Sequence, residues 1–169
     1  MTIKRVGILG SGIMGSGIAE VAAKTGHEVV LRSRKQETAD AMVASLTKSL
    51  AKQVERGKLS EEDRDAALAR VTATDHIGAV ADCDLVIESV VEDMDVKKAL
   101  FTELDGICKA SAIIATNTST LSVIDMAVAT QRPDQVVGVH FFNPAPMMSL
   151  VEIVRPLTAS DETVASVTE

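Results

Sequence analysis

The stretch Val6-Gly7-Ile8-Leu9-Gly10-Ser11-Gly12-Ile13-Met14-Gly15 decides how the rest of the chain is read. The apolar run Arg5–Leu9 stops at Gly10, and helical spacing begins near Met14 with Ile18, Val21 and Ala22. That is a strand, a tight turn and a helix. Gly26-His27 breaks the helix, and Glu28–Leu31 is a second β-branched run, which completes a β-α-β unit of about 30 residues. Each glycine has a physical task. Gly10 allows the tight turn, Gly12 lets the backbone approach a pyrophosphate, and Gly15 lets the helix pack closely on the strand. The N–H groups and dipole of the new helix, at Ile13 and Met14, then face the phosphates. A G-x-G-x-x-G pattern alone is a weak signal, but its place between a strand and a helix predicts dinucleotide binding.

Downstream the pattern keeps alternating. Glu37 to about Ala69 is helical and charged, and it is split at Gly57-Lys58-Leu59-Ser60, with Ser60 as the N-cap of the second helix of a hairpin. Val71–Ala73 and Asp84–Ser89 read as strands, Val96–Lys109 as a helix, Ala112–Thr116 as a strand and Leu121–Thr130 as a helix. Gln135–His140 and Leu150–Val154 are the last strands, joined by the proline-marked loop Asn143–Met148, and a helix begins at Ser160. The expected architecture is α/β: a Rossmann-type, doubly wound, mostly parallel sheet with an inserted helical hairpin. All 169 residues fall in one dinucleotide-binding domain, and the lack of a stop signal at Glu169 reads as a chain cut from something longer.

Composition narrows the function. With three Phe, no Tyr and no Trp, base stacking has few platforms, and the net charge of −7 disfavours a general polyanion binder. Lys24–Lys58 nevertheless holds eight of the 17 basic residues and four of the 24 acidic ones, so that segment is +4. An ordinary solvated helix face explains this, and so does a landing site for a phosphate-rich ligand. Cys83 and Cys108 lie far apart among apolar residues, in no metal-like spacing, and read as free buried thiols of a reducing compartment. Together with the lack of a signal peptide or a membrane-spanning run, this leads to an expected cytoplasmic location and no bound metal.

Two features speak to chemistry. His140 closes an apolar strand ahead of Asn143-Pro144-Ala145-Pro146, and Glu152 lies on the returning strand. A carboxylate beside an imidazole fixes the tautomer and favours the charged ring, as a general base requires. Asn117-Thr118-Ser119-Thr120 follows a buried strand, so it supplies a helix cap, with further hydroxyls at the same carboxyl edge of the sheet. Phe141 and Phe142 read as core. The second strand ends Leu31-Arg32-Ser33-Arg34-Lys35 without the acid that accepts from a ribose 2′-OH. A hydroxyl at Ser33 with flanking guanidiniums suits a 2′-phosphate, which favours NADP over NAD while leaving both open.

On Gly10–Gly15, Glu88-Ser89-Val90-Val91-Glu92, Asn117-Thr118-Ser119, Gly138–Pro144 and Leu150-Val151-Glu152, the chain resembles the 3-hydroxyacyl-CoA dehydrogenase family along essentially its whole length. The resemblance implies interconversion of a short-chain (S)-3-hydroxyacyl-CoA and its 3-ketoacyl-CoA with NAD(P). It makes His140 the general acid/base, oriented by Glu152, and Ser119 the donor to the substrate's 3-oxygen. Asn143 would lie near the nicotinamide, Glu92 and Lys97 would contact the cofactor's nicotinamide-side ribose or its phosphates, and Asn117 would also bind the cofactor. Ser49, Lys52 and Arg56 of the hairpin would meet the CoA moiety. The family also has an all-helical second domain that makes its dimer; the resemblance implies that this domain is absent here. Two rivals stand beside this reading: a dehydrogenase of a free 3-hydroxy acid, and a nucleotide-binding module without catalysis.

Overall fold

The computed structural model describes residues 2–168. Seven strands form one sheet: β1 (Arg5–Leu9), β2 (Glu28–Arg32), β3 (Val71–Thr74), β4 (Leu85–Glu88), β5 (Ile113–Thr116), β6 (Val136–Phe141) and β7 (Val151–Val154). Their spatial order is β3-β2-β1-β4-β5-β6-β7. β1 to β6 are parallel, and β7 returns antiparallel to β6. The order reverses between β1 and β4, so the carboxyl ends of these neighbours splay open where an open α/β sheet takes its ligand.

The strands read as continuous apolar runs because both faces are covered. Successive side chains still alternate. Val6, Ile8, Leu31, Ile87 and Val139 face one buried cluster beneath α1 (Ile13–Lys24), α2 (Gln36–Glu55) and α3 (Glu61–Ala69). Leu9, Val30, Val86 and Ile114 face the other, beneath α4 (Met94–Ile107) and α5 (Val123–Ala127), where Phe101, Leu104 and both cysteines are buried. Burial pushes each thiol, Cys83 and Cys108, up to about 11, as inert core sulfur requires.

The hairpin forms where expected, and Ser60 caps α3, accepting from Asp63 N–H at 3.0 Å. The last helix, α6, runs Asp161–Thr168; the expected final residue, Glu169, lies outside the described residues. The helix expected over Leu121–Thr130 is a single short turn, Val123–Ala127. Its flanking hydroxyls draw backbone groups away from the helical ladder: Thr118 Oγ1 accepts from Leu121 N–H at 3.0 Å, and Thr130 Oγ1 donates to the Ala127 carbonyl at 2.8 Å. The cap expected from Asn117–Thr120 is also not made, because α5 starts behind Ser122, whose side chain forms no capping bond.

At the glycine turn Gly10 has φ +131°, and a Cβ there would overlap the Ser89 carbonyl oxygen at the end of β4. Gly10→Ala is therefore expected to lower unfolding free energy by about 2 kcal/mol or more, read from urea denaturation; a loss under about 0.5 kcal/mol would show that the turn relaxes freely.

Candidate active site

The glycine turn forms a crest between two hollows. A Cβ on Gly15 would overlap the Gly10 carbonyl, so this glycine is needed for helix–strand packing. A Cβ on Gly12 would meet nothing within 4 Å, so its backbone lies bare to the cleft. On one side a hollow of about 790 Å³ runs past Arg32, Ser33 and Arg34. On the other, one of about 440 Å³ reaches His140 and Asn143. Both share Gly12, Ser89 and Val90. A dinucleotide straddling a bare backbone at a helix N-terminus fits this shape, with its pyrophosphate on the crest.

In the smaller hollow His140 and Glu152 are direct partners in the β6–β7 register, and Nδ1 lies 2.9 Å from Glu152 Oε2. A carboxylate can only accept, so Nδ1 donates, and in the neutral ring Nε2 keeps its lone pair; Nε2 has no partner among the described residues. The side chain of His140 is 16% exposed and that of Glu152 is 52%, so the pair sits at the cleft wall within reach of a ligand. Phe142, expected in the core, is instead half-buried, lines this hollow and packs against the His140 ring with centroids 4.6 Å apart. Period-2 alternation fails there because β6 ends at Phe141. Phe141 itself does pack against the core.

The remaining residues meet through the ends of β4 and β5. Asn117 Oδ1 accepts from Phe141 N–H at 2.8 Å, tying the end of β5 to the residue after His140. Ser119 and Asn143 line the hollow, both exposed. Lys97 lines it too, yet is only 1% exposed, with its ammonium 2.6 Å from Glu88 and 3.2 Å from Glu92. Desolvation pushes the Glu92 carboxyl up, but bonds from Thr118 and Lys97 and the Ser119 N–H outweigh it and hold the group below its ordinary value. Glu88 was not singled out as a site residue in the sequence. A carboxylate closing a buried strand is the available signal, since an ion there must find a partner.

Ser33 lines the larger hollow with its flanking arginines but is only 3% exposed, and its hydroxyl is bonded to Thr38 Oγ1. Arg32 Nε donates to the Asp75 carbonyl at 3.3 Å, whereas Arg34 has no side-chain partner among the described residues. Ser49 lines a third hollow, of about 410 Å³, between α1 and α2, but its hydroxyl donates to the buried Glu20 carboxylate at 2.7 Å. Lys52 and Arg56 stand exposed along the same helix and its C-cap, their side chains unpartnered among the described residues.

A family model described as "3-hydroxyacyl-CoA dehydrogenase, NAD binding domain" matches residues 5–169. The chain belongs to this family. It is 45% identical over 165 residues to the 3-hydroxybutyryl-CoA dehydrogenase of Clostridioides difficile, covering 98% of this chain and 59% of that protein. The structure of the Escherichia coli 3-hydroxybutyryl-CoA dehydrogenase superposes with a TM-score of 0.96 at 41% identity, covering 98% of this chain and 35% of that one. The Ralstonia eutropha (S)-3-hydroxybutyryl-CoA dehydrogenase gives 0.95 at 40%, covering 98% and 59%. This chain thus spans less than three-fifths of each. The family's description as an NAD binding domain agrees with a bare-backbone cleft at the carboxyl edge of the sheet. Among the described residues no cluster of three metal-ligating side chains exists, and no helix is long and apolar enough to cross a membrane.

Because the Glu92 carboxyl is held below its ordinary value of 4.5 in the folded protein, its ionised form adds stability above that pH, and the gain is lost as pH falls through the lower folded value. Urea titrations of wild type and Glu92→Gln should therefore converge on acidification from about pH 6 to about pH 3; curves that stay parallel would sink this assignment.

Proposed function

We propose that this domain is the cofactor-binding and proton-transferring part of an enzyme that interconverts a short-chain (S)-3-hydroxyacyl-CoA and its 3-ketoacyl-CoA. The observation that carries the proposal is the His140–Glu152 pair, which leaves Nε2 without a partner among the described residues in a hollow also lined by the bare backbone of Gly12. The dinucleotide, when bound, supplies the hydride acceptor or donor.

This chain's residues do the rest. Nε2 of His140 takes the 3-hydroxyl proton in oxidation and returns it to the ketone oxygen in reduction. Glu152 keeps the proton on Nδ1 and stabilises the imidazolium formed between those events. Ser119 holds the substrate oxygen, and Asn143 with Asn117 borders the nicotinamide end. Fixing these groups on strand ends lowers the entropy cost of alignment. Ser49, Lys52 and Arg56 are the proposed CoA contacts, the last two meeting phosphate; the basic excess of Lys24–Lys58 supports this. The two buried free thiols support a cytoplasmic setting. A helical partner domain and a dimer are part of the same proposal, in keeping with the greater length of the relatives.

NADP(H) is proposed as the favoured cofactor, because Arg32 and Arg34, and no carboxylate, stand at the end of β2. Ser33→Asp is expected to weaken NADPH binding at least about tenfold and to spare NADH, one lost charge-assisted contact being worth that much. Fluorescence titration reads both; equal effects on the two cofactors would refute the assignment.

Loss of reduced-cofactor absorbance with acetoacetyl-CoA, run with NADH and NADPH in parallel, tests the reaction. His140→Gln should cut turnover about 10²–10⁴-fold with cofactor binding retained. Turnover of free acetoacetate equal to that of its CoA ester would point to a free-acid dehydrogenase instead.

A further inference from the structure

Arg32 and Arg34 line the larger hollow, where the adenosine half would lie, with the exposed Glu103 as its one carboxylate. At the other end Lys97 is the only Lys or Arg lining the hollow among the described residues, and it is clasped by two carboxylates. Glu88 is fully buried and does not line the hollow. Its Oε1 accepts from Lys97 Nζ and from Val90 N–H, each at 2.6 Å, and its Oε2 accepts from Thr116 Oγ1 at 2.8 Å. Glu92, 43% exposed, takes the other side of the ammonium at 3.2 Å. The remaining partners of both carboxylates are neutral donors, so one ammonium against two carboxylates leaves a net negative charge beside the hollow.

That sign matters for a nicotinamide. The oxidised ring is a cation and the reduced ring is neutral, so a fixed negative charge nearby favours the oxidised form. Glu88 controls the value of this charge. With Glu88 in place, Lys97 is already neutralised from behind and Glu92 remains uncompensated; without it, the whole ammonium charge falls on Glu92. We propose that Glu88 is a positioning residue which, through Lys97 and Glu92, makes this end of the cleft discriminate between the oxidised and reduced cofactor. The inference rests on the dinucleotide reading above.

The test is binding to the whole chain. NADH and NADPH are titrated by fluorescence and their oxidised forms by competition, and the ratio of oxidised to reduced Kd is taken for each variant. Glu88→Gln should raise that ratio about fivefold, the effect of one unit charge across a partly solvated cleft. Lys97→Met should lower it, and the double variant E88Q/K97M, whose cluster charge equals that of wild type, should restore it to within twofold. Equal weakening of both forms in Glu88→Gln would make Glu88 a structural strut and overturn the proposal. Should Glu88→Gln not fold, the double variant, which leaves no buried charge unpaired, carries the test: a ratio within twofold of wild type supports the proposal, and a larger shift overturns it. Wild type that binds neither form would defeat the dinucleotide reading itself.

Discussion

The buried contact between Lys97 and Glu88 is the constraint around which the carboxyl edge of the sheet is arranged. An ammonium 1% exposed and a carboxylate fully buried cannot be left alone; removing one partner of such a pair typically costs about 3–5 kcal/mol. The geometry answers that demand completely. Glu88 collects donors from the Ser89–Val90 turn, from the end of β5 and from α4, so one carboxyl group sets the relative positions of three elements. The ammonium then reaches Glu92, and Glu92 reaches the Thr118–Ser119 turn. A single connected network therefore holds the ends of β4 and β5 where they border the smaller hollow.

β6 is joined by a neutral link. The Asn117 side chain accepts from the Phe141 N–H, which places His140 relative to the β4–β5 network without adding charge beside it. On the far side β7 returns antiparallel and offers Glu152 directly across from His140. The proposed catalytic pair is thus a cross-strand pair, and its distance is set by strand spacing rather than by a flexible loop. The twelve-residue separation in sequence becomes immediate adjacency because the loop Asn143–Met148 reverses the chain.

Between these groups and the arginines at the end of β2 stands the glycine crest. Its three glycines face three different neighbours: the Ser89 carbonyl, open cleft, and the Gly10 carbonyl. Only the middle one lies bare to the cleft. The outer two make the middle one possible, by letting the turn close on β4 and the helix sit on the turn.

The apolar runs ended by glycine, the caps and the β-α-β length were legible in the sequence because they depend on local periodicity and turn chemistry. So were the inserted hairpin with Ser60 at its second start and the nearness of His140 to Glu152, which follows from two strands and a short loop. The short α5 and the missing cap were not legible, because the Thr118 hydroxyl both accepts from Leu121 N–H and donates to Glu92, and α5 starts only behind Ser122. The outward turn of Phe142 follows from where β6 ends, which pairing with β7 decides. By itself the sequence determined that an alternating, doubly covered sheet would place a glycine turn and a histidine at one edge, since periodicity acts over a few residues. Tertiary structure alone decided that Glu88 would be the hub, that the Ser33 hydroxyl would turn to Thr38 and that Ser49 would bind Glu20. Each of those partners is chosen by the need to satisfy a buried polar group with whatever distant segment packing brings within 3 Å.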